Sequence, residues 1–146
     1  MSATQDIAAI HNLPKMYHKS EMDEISQQLL YQRLRNRVID LLDLYCSFDD
    51  LAKIGSFEAI NMIDDWLPLD YDKAPNVFIE QEKRAIEEFI KLFETVSNAT
   101  DEDIWEVNWF KSSDEWIRLS AAARNALSVL FERGRFSEEI EEPSLI

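Results

Sequence analysis

Cysteine, glycine, histidine and positive charge are all scarce in this chain of 146 residues. Cys46 is the single cysteine, so no disulfide can form within the chain. Near the end of an apolar helix it reads as a small buried hydrophobe, not as half of a Cys–His nucleophile pair. The two glycines, Gly55 and Gly134, argue against Gly-rich phosphate loops and tight β-hairpins. The two histidines, His11 and His18, both fall in the first twenty residues. Neither completes the Glu-x-x-His of a di-iron bundle or the His-Glu-x-x-His of a zinc protease. No P-loop, dinucleotide fingerprint or nucleophile elbow is present. No catalytic residue, resident metal or cofactor is therefore predicted. No apolar run approaches the roughly 18 residues of a membrane span. The start, Met1-Ser2-Ala3-Thr4-Gln5-Asp6, lacks the basic and apolar regions of a signal peptide. These features predict a cytoplasmic protein with no membrane partner.

What the chain does have is acid. It carries 29 Asp and Glu against 15 Lys and Arg, a formal charge of −14. Between Asp49 and Glu82 nine acids face two bases, which places half of the net charge in 34 residues. Such a field favours a basic partner over a nucleic acid or an anionic membrane. Arg33, Arg35 and Arg37 do not make the basic stripe that nucleic acid requires, and internal ion pairing is expected for them. Apolar residues reach 46% and aromatics 11%, too many for a disordered acidic chain.

The pattern along the chain predicts an all-α, single-domain helical bundle of about five helices. Residues 1–19 read as a loosely ordered N-terminal segment, 20–136 as the helical domain and 137–146 as an acidic tail that frays. Ser20 is expected to cap a helix running to about Cys46. Leu30, Leu34, Val38, Leu41, Leu42 and Tyr45 share its main face, and Ile25, Leu29, Ile39 and Leu44 spill onto the other side. A helix apolar nearly all round is central in its bundle or shared between subunits, so a homodimer is one reading. Asp49–Gly55 reads as a turn or short helical piece. Ser56 then caps a helix over 57–66, stopped by Pro68, with a loop to Pro75. Asn76 caps a helix over 77–97. Thr100-Asp101-Glu102-Asp103 starts a short helix, although Ile104–Phe110 also suits a strand. Ser112, in capping-box spacing with Glu115, starts the last helix, which ends before Gly134. The helices 21–46, 77–97 and 113–133 should form the main layer, with Ser120, Ala123 and Ala126 allowing close approach.

Three constellations could carry function. At 100° per residue, Glu58, Asn61, Asp64 and Asp65 fall within an arc of about 120°. That arc leads into Asp70 and Asp72, so these six form a face for a basic protein surface or a set of oxygen ligands for a hard cation. Trp105 and Trp109, four apart, would stack on one helix face amid Glu102, Asp103 and Glu106. They are core residues or, if exposed, anchors for a cationic partner. Glu82 is different: Phe78, Ile79, Ala85, Ile86 and Phe89 surround it at helical spacing, so it points inward and needs a cation. As a first-turn residue it could also reach solvent or an arginine, and Arg124 is one candidate mate.

Two stretches carry a resemblance. They are Glu58-Ala59-Ile60-Asn61-Met62-Ile63-Asp64-Asp65 before a proline-bearing loop, and Ser113-Asp114-Glu115-Trp116 leading to Ala121-Ala122-Ala123-Arg124-Asn125-Ala126-Leu127. The arrangement resembles a group of small acidic bacterial proteins of uncharacterised function. It is also similar in style to the helical immunity proteins that neutralise bacterial toxins. The acidic face predicts a non-enzymatic interaction protein that blocks a basic protein partner, and the resemblance makes an immunity protein or antitoxin its concrete version. The alternatives are a metal-dependent helical enzyme or metal-binding regulator using the 58–72 carboxylates, and a structural subunit.

Overall fold

The computed structural model describes residues 25–74 and 76–142. Among these residues there are six helices and no strand: α1 (Gln27–Tyr45), α2 (Phe48–Ile54), α3 (Ser56–Trp66), α4 (Glu80–Ala99), α5 (Val107–Ser112) and α6 (Asp114–Leu130). The expected all-α bundle is what forms, and every helix contributes to one core. No helix among the described residues is long and apolar enough to cross a membrane.

α1 is the central element. Ser26 caps it, its Oγ accepting from Leu29 N at 3.1 Å. Ser20, the expected cap, lies outside the described residues, as does the 1–19 segment. Leu30, Leu34, Val38, Leu41 and Tyr45 are buried on one side, and Leu29 and Ile39 on the other. α1 packs against α2, α3 and α6, while α4 and α6 share the most extensive helix–helix contact. Ser120, Ala123 and Ala126 of α6 are all buried, as their small size suggested. Aromatic rings fill the centre. Tyr45 meets Phe89 edge-on at 5.4 Å and stacks on Trp116 at 5.9 Å, and Phe110 abuts Trp116 at 4.8 Å. The Tyr45 hydroxyl donates to Ala59 O at 2.6 Å, tying α3 to the same centre.

Three boundaries depart from local signals. α4 starts at Glu80, not near residue 77, because Val77 and Phe78 are buried as core and Asn76 takes a positive φ of 70°. Residues 101–106 are not helical; their backbone is bonded to the start of α3 instead. α6 is capped by Ser113 and not by Ser112, which still belongs to α5; the Ser113 Oγ accepts from Trp116 N at 3.3 Å. Its helical pattern stops at Leu130, three residues before the expected end, and Gly134 follows at φ 79°.

As far as Glu142 the tail runs back along α1. Asn36 accepts from Phe136 N at 3.1 Å and donates to Phe136 O at 2.9 Å, a two-point grip on backbone. Gln32 donates to Ser137 O and Ile140 O and accepts from Glu142 N. Arg33 donates to Glu138 O at 2.9 Å. Buried polar side chains need such partners, and here the returning backbone supplies them.

Glu82 is fully buried, as its spacing required, but Arg124 is not its mate. Arg124 donates to Cys46 O and Ser120 Oγ. Glu82 is held by Arg35 of α1 and by Arg133 from the turn after α6. Arg35 approaches with both terminal nitrogens at 3.0 Å, and Arg133 approaches at 2.7 and 3.0 Å. Ile79 N donates a further bond at 2.9 Å. Arg35 uses its remaining donors on Val77 O, Leu130 O and Gly134 O, so all five guanidinium N–H groups are placed. Burial opposes ionisation of Glu82. The hydrogen bonds from Arg133, Arg35 and Ile79 and the Arg35 charge outweigh it, and the carboxyl is held below its ordinary range. Phe136 packs at 4.5 Å from the Arg35 guanidinium carbon and 5.0 Å from that of Arg133, which links the returning tail to the ion cluster.

Candidate functional site

The start of α3 builds the most specific surface feature. Gly55 has φ 89°, a conformation that L side chains avoid. A Cβ placed there would lie 2.7 and 2.9 Å from two Trp105 ring atoms and 2.8 Å from Asp103 Oδ1. The indole therefore rests directly on the glycine backbone. Ser56 was expected to cap α3. Instead it is the first helical residue, and its buried hydroxyl serves a distant segment, donating to Glu102 O at 2.9 Å and accepting from Ile104 N at 2.8 Å. Ser56 N donates to Ile104 O at 2.9 Å, and Phe57 N donates to Asp103 Oδ1 at 3.1 Å. The first N–H groups of a helix have no partner within it. Ile104 O and Asp103 Oδ1 supply partners for the first two here, and Asp103 places a carboxylate at the positive end of α3.

This lock explains why Trp105 and Trp109 are not stacked one turn apart. Trp105 lies in the extended stretch before α5 and Trp109 within α5. Neither ring belongs to the core: Trp105 is 55% exposed and Trp109 38%, while Trp116 is 1%. Trp109 meets Phe110 edge-on at 5.6 Å. Together with Asp103, Ile104 and Glu106 the two tryptophans line an open hollow of about 270 Å³. Phe57, 43% exposed, extends the aromatic surface onto α3. Glu58 follows it in sequence and is exposed, as are Glu102, Asp103 and Glu106.

The six residues expected to form one acidic face divide into two groups. Glu58, Asn61 and Asp64 are exposed along α3, with Asp65 half-buried beside them. Partial burial and the Asp65 charge push the Asp64 carboxyl above its ordinary range. Asp70 and Asp72 are half-buried in the loop after α3. Asp72 is engaged by Lys83 Nζ at 3.9 Å, and the charges of Asp70 and Asp72 both bear on the Tyr31 hydroxyl of α1. The α3 row therefore continues towards Phe57 and Trp105 at its N-terminal end. At its other end, Arg37, Asp40, Leu41, Met62 and Trp66 line a second hollow of about 390 Å³, across which the Arg37 guanidinium carbon lies 4.5 Å from the Trp66 ring centre.

Sequence reasoning missed Phe57, Gly55 and Ser56. Phe57 had a signal: it stands four residues before Asn61 and seven before Asp64, on the polar side of α3. Gly55 had one too, since a chain with two glycines spends them where φ is positive. The Ser56 contacts had none, because their partners are 46 and 48 residues away. Among the described residues no three His, Cys, Asp or Glu side chains converge to hold a metal ion. Comparison with known protein families, curated proteins and solved structures finds no match.

Proposed function

We propose that the chain is a non-enzymatic interaction protein that docks a basic protein partner. The docking face comprises Glu58, Asn61, Asp64 and Asp65 on α3 with Trp105 and Trp109, and Phe57 joins it. The observation that supports this reading is a set of three exposed aromatic residues amid exposed carboxylates, on a segment pinned by buried Ser56 and by Gly55. Rigid tryptophans make good anchors because little side-chain freedom is lost on binding. Surrounding carboxylates raise the encounter rate with a basic surface and disfavour acidic competitors. Asp70 and Asp72 contribute to the long-range field only.

In its concrete form the protein is an immunity protein or antitoxin that blocks a basic toxin sterically in a bacterial cytoplasm. A partner captured with the tagged chain from its host tests this. With both proteins purified, the association rate should fall at least tenfold between low and high salt. The double variant Glu58→Lys/Glu106→Lys should slow it further at low salt. An association rate unchanged by salt and by the charge reversals would refute the reading.

A further inference from the structure

We infer that the hollow between Trp105 and Trp109 takes the guanidinium of an arginine carried by the partner. This rests on the docking reading and names the chemistry recognised within it. The hollow, about 270 Å³, is smaller than the roughly 300–1,000 Å³ of sites for drug-sized ligands, so it suits one side-chain head rather than a cofactor. Two of its walls are indole rings, and Asp103 and Glu106 add two carboxylates. An aromatic face attracts a cation, and a carboxylate beside it selects a charged head over an apolar one. A guanidinium is planar, weakly hydrated and able to stack flat on a ring while its edge N–H groups reach carboxylates. An ammonium is compact and strongly hydrated and loses more on entering such a slot. The chain already makes the same contact internally, where Arg37 covers Trp66 at 4.5 Å.

The hollow is built in advance. Trp105 rests on Gly55, Asp103 is fixed by Phe57 N, and Ile104 is held at both backbone polar groups by Ser56. A partner arginine therefore meets a formed slot and does not have to order it.

The test is a titration of the full chain, followed through the tryptophan indole N–H resonances by NMR. The probes are N-acetyl-arginine amide, N-acetyl-lysine amide and N-acetyl-citrulline amide at constant ionic strength. Trp116 is the internal control, since its Nε1 donates to Thr100 Oγ1 at 3.1 Å in the core. Arginine amide should move the Trp105 and Trp109 resonances together, saturably and in the millimolar range, and leave Trp116 in place. Lysine amide should bind at least threefold more weakly, and citrulline amide, which has the same shape without the charge, should not bind. Glu106→Gln should weaken arginine binding several-fold with the melting temperature unchanged. Equal shifts with lysine, shifts with citrulline, no shift, or shifts that include Trp116 would each overturn the assignment. The outcome separates from that of the docking reading. A basic partner that binds Trp105→Ala/Trp109→Ala more weakly than wild type, while arginine amide moves neither resonance, leaves docking in place and removes the arginine slot. Saturable arginine binding together with a partner whose association rate is unchanged by salt and by the charge reversals sustains the slot and removes the electrostatic docking.

Discussion

Replacing Glu82 by Gln tests the interior of the bundle. The amide keeps the volume of the acid but removes the negative charge that Arg35 and Arg133 share. It also turns one acceptor into an NH2 group facing guanidinium donors. Five N–H contacts end on the Glu82 oxygens: two from Arg35, two from Arg133 and one from Ile79. Removing one partner from a buried ion pair leaves uncompensated charge and costs about 3–5 kcal/mol. For a chain near 150 residues this lowers the melting temperature by roughly 10 °C. Urea unfolding followed by circular dichroism measures it. Glu82→Gln and Arg35→Met should be coupled, the double variant being less destabilised than the additive expectation by roughly 1–3 kcal/mol. Glu82→Gln and Arg124→Ala should add within about 0.5 kcal/mol. Equal coupling to Arg124, or none to Arg35, would show that the cluster does not act as the contacts imply. The pH dependence has a definite sign. The folded Glu82 pKa is depressed, so the unfolded chain binds the proton more readily. The stabilisation is complete above the unfolded carboxylate range, about pH 4.3, and is lost as pH falls through the lower folded value. Glu82→Gln should therefore flatten the acid limb of the stability curve.

Two further perturbations probe the site and the tail. Gly55→Ala forces both a positive φ and a clash with the Trp105 ring, whereas Gly134→Ala at φ 79° meets nothing within 4 Å. The second should cost about 1–2 kcal/mol from strain alone. The first should cost more and also shift the Trp105 indole resonance; equal costs with an unmoved resonance would mean that Trp105 is not seated on Gly55. Asn36→Ala removes the two-point grip on Phe136 and should cost roughly 1–3 kcal/mol. It should speed amide exchange over residues 136–142 while α4 and α6 stay protected, and unchanged exchange in the tail would count against the docked geometry.

What was legible in the sequence was whatever repeats with the helical period. The broad apolar surface of α1, the apolar sides of α4 and α6, and the inward direction of Glu82 all follow from side chains three and four residues apart. The mates of Glu82 did not follow. Arg35 lies on a different helix, and Arg133 sits past the last helical turn, where periodicity carries no information. The non-helical path of 101–106 was hidden for a related reason. Thr100-Asp101-Glu102-Asp103 is a sound local start signal, yet Ser56 offers those backbone groups partners from another helix, and tertiary hydrogen bonds override local propensity. The returning tail left no trace either. Asn36 and Phe136 are 100 residues apart, and an amide that pairs with backbone does not depend on the identity of the residue it holds.

The interior cluster also changes what the net charge means. Two arginines and one glutamate leave a single positive charge inside the bundle, so the rest of the chain carries fifteen negatives against a formal total of −14. That charge is not evenly available. Lys83 lies close to both Asp72 and Glu80, and Asp40 is engaged by Arg135 at 2.7 Å. Along α3, by contrast, partial burial and the charge of a second acid, Asp65, resist ionisation of Asp64. A cation arriving at this row relieves repulsion already present in the folded protein, whereas at Asp72 or Asp40 it must displace a partner. On the proposed docking reading, the free energy for recruiting a basic surface therefore resides on α3 and the adjoining 102–106 segment. Phe57, Trp105 and Trp109 are exposed on this side as well, so the proposed docking would draw its electrostatic and apolar contributions from one face.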